Sequence, residues 1–210
     1  MNINSLFSPN NVFFRFMGRI SDLMILNFLW IICSIPIITI GASTTALYDT
    51  TLKLIDETEG YLFKNFLKSY KQNFKKATII WIGVLFIFFI IGVNLAFWIQ
   101  FKSITGYITV SIMLFMLFLF LFTEIYLFPI LSKFNKSIKD TVKYAFILSM
   151  KYLPYSLVIM VISSIFIVLT VIFPFTILFM IFVGVAFYAY ISSYLFGMIF
   201  KKSMLYLEDV

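Results

Sequence analysis

Residues 152–200 read YLPYSLVIMVISSIFIVLTVIFPFTILFMIFVGVAFYAYISSYLFGMIF, forty-nine positions without one charged side chain. A helix needs about 20 apolar residues to cross a bilayer core. This run is therefore long enough for two crossings and too long for one. Phe173-Pro174-Phe175 is the expected break, because proline removes a helical N–H donor and its ring clashes with the preceding turn. No soluble fold has a use for two adjacent segments of this kind.

Outward from this stretch the pattern repeats. Residues 23–48 carry no charge between Asp22 and Asp49, and residues 77–101 carry none between Lys76 and Lys102. Residues 103–123 run uncharged to Glu124, and apolar character continues to about Leu131. The spans expected are about 15–38, 77–100, 107–131, 153–173 and 176–200. Trp98, Tyr107, Tyr152 and Tyr155 lie at their ends, where amphipathic rings favour the headgroup region.

Composition agrees. The chain has 210 residues, 62% of them hydrophobic and 12% charged. A soluble domain carries about 25% charged residues. One domain, 1–210, suits this length. The net charge of +7 raises the question of nucleic acid. No helix-turn-helix, zinc finger or basic tail accompanies it, so no nucleic-acid partner is expected. Cys33 is the only cysteine and there is no histidine, which removes intrachain disulfides and the commonest general base. Arg15 and Arg19 precede an apolar stretch, but Thr39-Ile40-Gly41-Ala42-Ser43 is only a partial cleavage signal, so no cleaved leader is expected.

Charge placement bears on topology. Basic residues concentrate before the first span, at 49–76, at 132–151 and in the tail, and only Lys102 falls elsewhere. By the positive-inside rule those four segments share the cytoplasmic side. Both flanks of the first span are then basic, so an even number of crossings must separate Arg19 from Lys64. Pro36 ends the first helix, and residues 41–55 turn back as a short helix, either re-entrant or a sixth span. Both forms put the N- and C-termini in the cytoplasm. An odd number of spans, with one basic segment outside, is the rival.

Two stretches are cationic and amphipathic. In residues 61–76, Lys64, Lys68, Lys71 and Lys75 form one helical stripe, and Phe63, Phe66, Leu67, Tyr70 and Phe74 form another. Residues 136–151 repeat the design with Lys139 and Lys143 opposite Ile138, Val142 and Phe146. Such helices suit anionic lipid headgroups or a docking partner at the cytoplasmic interface. Each leads into a pair of spans, so 60–131 and 136–200 read as two similar units.

Polar residues within the apolar runs are the candidate site. Glu124 is expensive to ionise in a bilayer. It is a binding group for a proton, cation or polar solute, or else a neutral, paired or water-reaching side chain. Asn27 is placed to bond between helices. Pro36, Thr39, Gly41, Thr45 and Tyr48 belong to the helix break and its small-residue return. No phosphate loop, nucleophile–base pair or metal-ligand set is present, so no cofactor and no catalysis are expected.

The segment Asp22 to Tyr48, with Asn27, Trp30, Ser34, Pro36, Thr39, Gly41, Ala42, Thr45, Ala46 and Leu47, resembles the opening signature of the YesL-like family of bacterial membrane proteins. Phe66, Tyr70-Lys71-Gln72-Asn73-Phe74-Lys75-Lys76-Ala77-Thr78 resembles its second common block. The resemblance implies a multi-pass protein of the bacterial cell membrane, in Gram-positive organisms, with no established biochemical activity. Its members are often encoded beside carbohydrate ABC importers. It therefore implies an accessory or assembly role with importer permease subunits. The alternative from the residues is a small transporter with a polar site at the Pro36–Gly41 break and Glu124.

Overall fold

The computed structural model describes residues 12–58, 60–134 and 136–208, and these form helices and short connections with no strand among them. Helix α1 covers Val12–Ser34. A single 3₁₀ turn, Ile37–Thr39, leads into α2, Ile40–Ile55. Then follow α3, Leu62–Trp98, and α4, Ile104–Phe134. The second half holds α5, Ile138–Lys151, and α6, Leu153–Ile172. The last helix, α7, begins with Thr176–Phe179, passes through a π-helical turn at Met180–Gly184 and continues as Val185–Glu208. Five of these, α1, α3, α4, α6 and α7, are long and apolar enough to span a bilayer. The fold is an all-α membrane helix bundle.

The expected amphipathic helix at 61–76 is not a separate element. It is the first half of α3, a single helix of 37 residues. Nothing near Lys75-Lys76-Ala77 breaks a helix, so the charge boundary is not a backbone boundary. The second unit differs because Pro154 sits in the first turn of α6, where it can start a helix but not continue one. Here α5 stands alone, its N-terminus capped by Ser137, whose hydroxyl accepts the Asp140 N–H at 3.2 Å.

The short helix α2 is the most buried element. Gly41, Ala42, Ser43, Thr45, Ala46, Leu47, Tyr48, Thr50, Thr51, Leu52 and Leu54 are all buried. It is polar by composition, but four of its hydroxyls bond to the preceding turn of the chain, and Thr51 also meets Ser193 of α7 at 2.8 Å. Ser43, Thr45, Thr50 and Thr51 donate to the carbonyls of Thr39, Gly41, Ala46 and Leu47, at 3.1, 2.8, 2.8 and 3.0 Å. Small side chains let α3 approach closely, and Phe66, Ser69, Asn73, Ala77, Ile80 and Val84 make its facing stripe.

The ends of α2 place it. At its start, Gly41 lies against Ala77, Trp81 and Phe128. At its end, Asp56 meets Lys133 at 3.4 Å and Lys201 at 3.7 Å. Helix α2 packs along α3 and against α7, with Gly41 at Ala77 and Trp81, Thr51 bonded to Ser193 and Asp56 beside Lys133 and Lys201.

The same contacts orient α1. Asn27 bonds to α7 at residues 180–186, well up the bundle, whereas Ile37 accepts the Trp81 indole N–H at 2.8 Å, just past Lys76. So α1 descends toward the lysine-rich end. Its start lies at the opposite end, with the α3–α4 and α6–α7 turns. The return segment expected at 41–55, re-entrant or a sixth span, is α2, Ile40–Ile55, whose 16 residues leave it outside the five helices long and apolar enough to span.

Aromatic rings knit the lysine-rich end together. Phe196 of α7 meets Tyr48 of α2 edge-on at 5.7 Å and Tyr126 of α4 at 5.2 Å. The Tyr126 hydroxyl bonds Ser156 of α6 at 2.8 Å. Toward the other end, α3 and α4 stay paired through Phe88 and Phe120, and α6 and α7 through Phe166 and Tyr188. The two hairpins make few contacts with each other there.

Candidate ligand cavity

Where the hairpins separate they leave a cavity of about 490 Å³. Helix α2 contributes Ile40, Thr44 and Tyr48, α3 contributes Trp81, and α4 contributes Leu121, Glu124, Ile125 and Phe128. The remaining wall comes from Met160, Ser163, Ser164, Phe166 and Ile167 of α6 and from Met180, Gly184, Val185 and Tyr188 of α7. The volume falls in the range of small-molecule sites, and the lining is mainly apolar with a few polar groups.

Those polar groups converge from three helices. The Tyr188 hydroxyl bonds the Ser163 hydroxyl at 2.7 Å. The Tyr48 hydroxyl lies within electrostatic reach of Tyr188 and Glu124. The Glu124 carboxyl group has no hydrogen-bond or ion-pair partner among the described residues, and no lysine or arginine lines the cavity. One turn beyond Glu124, Pro129 lies inside α4 and deprives the Ile125 carbonyl of its helical donor.

The π turn in α7 is held open by α1. Asn27, fully buried, donates from Nδ2 to the Met180 carbonyl at 3.1 Å and the Ile181 carbonyl at 2.6 Å. Its Oδ1 accepts the Ala186 N–H at 3.0 Å. A π turn misaligns the helical ladder and leaves backbone groups unpaired, and one amide side chain satisfies three of them. Met180 and Gly184 of this turn face the cavity, so Asn27 shapes a wall it does not touch.

Of the residues singled out in the sequence, Tyr48 and Glu124 meet in the cavity. Pro36 and Thr39 build the break instead: the Thr39 hydroxyl reaches the carbonyls of Cys33 and Pro36, each at 2.7 Å. Gly41 is a packing contact with α3, and Thr45 is buried against its own helix. Lys64, Lys68, Lys71, Lys75, Lys139 and Lys143 are all exposed at the lysine-rich end. Sequence reasoning missed Ser163, Tyr188 and Trp81. Hydroxyls in the charge-free 152–200 run were the available signal for the first two; nothing local marks Trp81.

With no hydrogen-bond or ion-pair partner among the described residues, the Glu124 carboxyl group contributes little to holding the bundle together, and its charge is costly in lipid. Glu124→Gln should therefore fold with an unchanged or raised melting temperature in detergent. A marked fall would mean that the carboxylate has a structural partner.

Fold and cavity together define a multi-pass helical membrane protein with a small internal site. Residues 23–95, about a third of the chain, match the model of a family described as a protein of unknown function, DUF624. The matched segment holds the second half of α1, the break, α2 and most of α3, which is the close-packed α2–α3 unit and its approach. No curated protein and no solved structure matches the chain.

Proposed function

We propose that this is a non-enzymatic membrane protein that binds a small solute in the cavity between its hairpins, in the manner of a small transporter or permease. The observation that carries this reading is Glu124, an ionisable group with no hydrogen-bond or ion-pair partner among the described residues, on the wall of a ligand-sized cavity. Ionisable residues inside membrane bundles mark substrate or ion pathways more often than they serve packing. The π turn and the proline in α4 add backbone irregularity on the same walls, where transporters place their sites.

In this reading five helices cross the bacterial cell membrane. Thirteen of the sixteen basic residues lie at the α2 end, which is then cytoplasmic by the positive-inside rule. The C-terminal end of α7 is cytoplasmic, and the start of α1, with Arg15 and Arg19, faces outward. The exposed lysines of α3 and α5 meet anionic headgroups.

Thiol reactivity tests the cavity. In a Cys33→Ala background reconstituted in lipid nanodiscs, Ser163→Cys should react with neutral hydroxyethyl methanethiosulfonate. Val168→Cys, on the lipid-facing side of the same helix, should not. Equal inertness of both would show a cavity closed to water and end this reading.

A second reading comes from the resemblance to YesL-like proteins: an accessory that binds the permease subunits of a carbohydrate ABC importer. The two hairpins, apolar and exposed where they separate, favour it because they offer room for a partner's transmembrane helix. Enrichment of importer subunits with the tagged protein after mild detergent extraction supports it; consistent absence of those subunits removes it.

A further inference from the structure

The chemistry of the cavity selects among solutes, and the selection rests on the solute-binding reading above. Among the described residues its lining holds one carboxyl group, Glu124, and no lysine or arginine. An anion would meet that charge unaided. A neutral sugar would leave the charge desolvated, and it would find few hydrogen-bonding groups on a wall that is mostly hydrocarbon and ring. Calcium and magnesium take six or more oxygen ligands, and zinc takes about four from histidine, cysteine or carboxylate. Among the described residues no group of three or more acidic, cysteine or histidine side chains gathers.

What remains is a positive charge on an apolar body. Trp81, Phe128, Phe166 and Tyr188 line the same cavity as Glu124. Aromatic faces attract cations, most strongly where water is excluded. A carboxylate with several rings is the arrangement that recognises substituted ammonium groups, and methionines at 160 and 180 supply soft, adaptable walls for the rest of the ligand.

We propose that the cavity takes an organic monocation: a protonated amine or quaternary ammonium group carried on a hydrocarbon or aromatic body. The ammonium group sits at Glu124 with ring faces beside it, and the body fills the space toward Met160 and Ile167. The hydroxyls of Ser163 and Tyr188 orient an N–H where the ligand has one.

Benzyltrimethylammonium and its uncharged carbon isostere, neopentylbenzene, make the test, since they share shape and differ in charge. Binding of each to the protein in phosphatidylcholine nanodiscs is followed by saturation-transfer NMR, with empty nanodiscs as the blank. The cation should bind about tenfold tighter than the isostere. Glu124→Gln should remove that preference and leave the isostere unchanged. Phe166→Leu, whose folding does not depend on the carboxylate, should weaken the cation several-fold and the isostere less. Equal binding of the two probes, no binding of either, or a preference that survives Glu124→Gln overturns the inference. Because Ser163→Cys labelling is read separately, a reactive cysteine with no cation preference defeats the ligand class alone. An unreactive one defeats the solute-binding reading beneath it.

Discussion

Gly41→Ala should prevent the protein from accumulating in its folded form, or at least lower its melting temperature more than other single-methyl additions to the bundle. The added Cβ would lie 2.7 Å from the Ala77 carbonyl oxygen and 2.7 Å from the Trp81 Cβ. Neither obstacle is a flexible side-chain end, so α2 and α3 must move apart as bodies. That movement strains the Trp81–Ile37 hydrogen bond in the adjoining turn and opens the most extensive helix contact in the molecule. Overpacking of this kind costs about 1–3 kcal/mol, sometimes more. The control is Gly83→Ala on the same pair's outer face. A Cβ there meets nothing within 4 Å, so alanine should be neutral or stabilising by about 0.5–1 kcal/mol. Melting curves and gel-filtration profiles in detergent compare the two. Equal behaviour would mean that α2 and α3 are not in close contact.

Asn27→Leu is the other large effect. It removes three hydrogen bonds at once and leaves the Met180 and Ile181 carbonyls and the Ala186 N–H without their partner in a buried turn. Hydrogen bonds between membrane helices average about 0.6 kcal/mol, with a maximum near 1.7. A buried polar group left unsatisfied costs about 1–3 kcal/mol. Three groups in one place therefore put the loss at about 2–4 kcal/mol. The variant should melt lower, and the Ala186 amide should exchange with solvent faster than its neighbours in α7. Asn27→Asp keeps the acceptor and loses the donors, so it should protect that amide while still destabilising the turn. Unchanged exchange at Ala186 in the leucine variant would show that α7 holds its π turn without α1.

Much of this fold was legible in the sequence. Residues 153–173 and 176–200 separate at Pro174 as the proline rule requires, and α1 stops at Ser34, two residues before Pro36. Asn27 was marked as an interhelical donor by its polarity within an apolar run, and it is one. The course of α2 was not legible. Its small and hydroxylated residues suit close packing whether the helix stands upright or lies across the bundle. Charge counting put Arg15 and Arg19 on the side of Lys64, and it held no signal for the contacts of Asn27 with α7 or of Ile37 with Trp81. The amphipathic stripe at 61–76 was read from its lysines. Its other face, Phe66, Ser69 and Asn73, is buried, and α3 packs on α2, so the stripe belongs to a protein contact as well as an interfacial one. The cavity was half visible: Tyr48 and Glu124 stood out, but their convergence with Ser163 and Tyr188 depends on two hairpins parting beside α2, which no local pattern encodes.

Central to this reading are five crossings, with α2 lining the cavity as a short helix that does not span, and one measurement tests this directly. Single cysteines at Met17, Ser103, Ser137 and Lys202, each in a Cys33→Ala background, are labelled in intact cells and in lysed membranes with a membrane-impermeant maleimide. The account predicts that positions 17 and 103 label in intact cells, while 137 and 202 label only after lysis. If position 17 instead stays protected together with 137 and 202, α2 carries the chain back across the membrane, and the floor of the cavity is not where this account puts it.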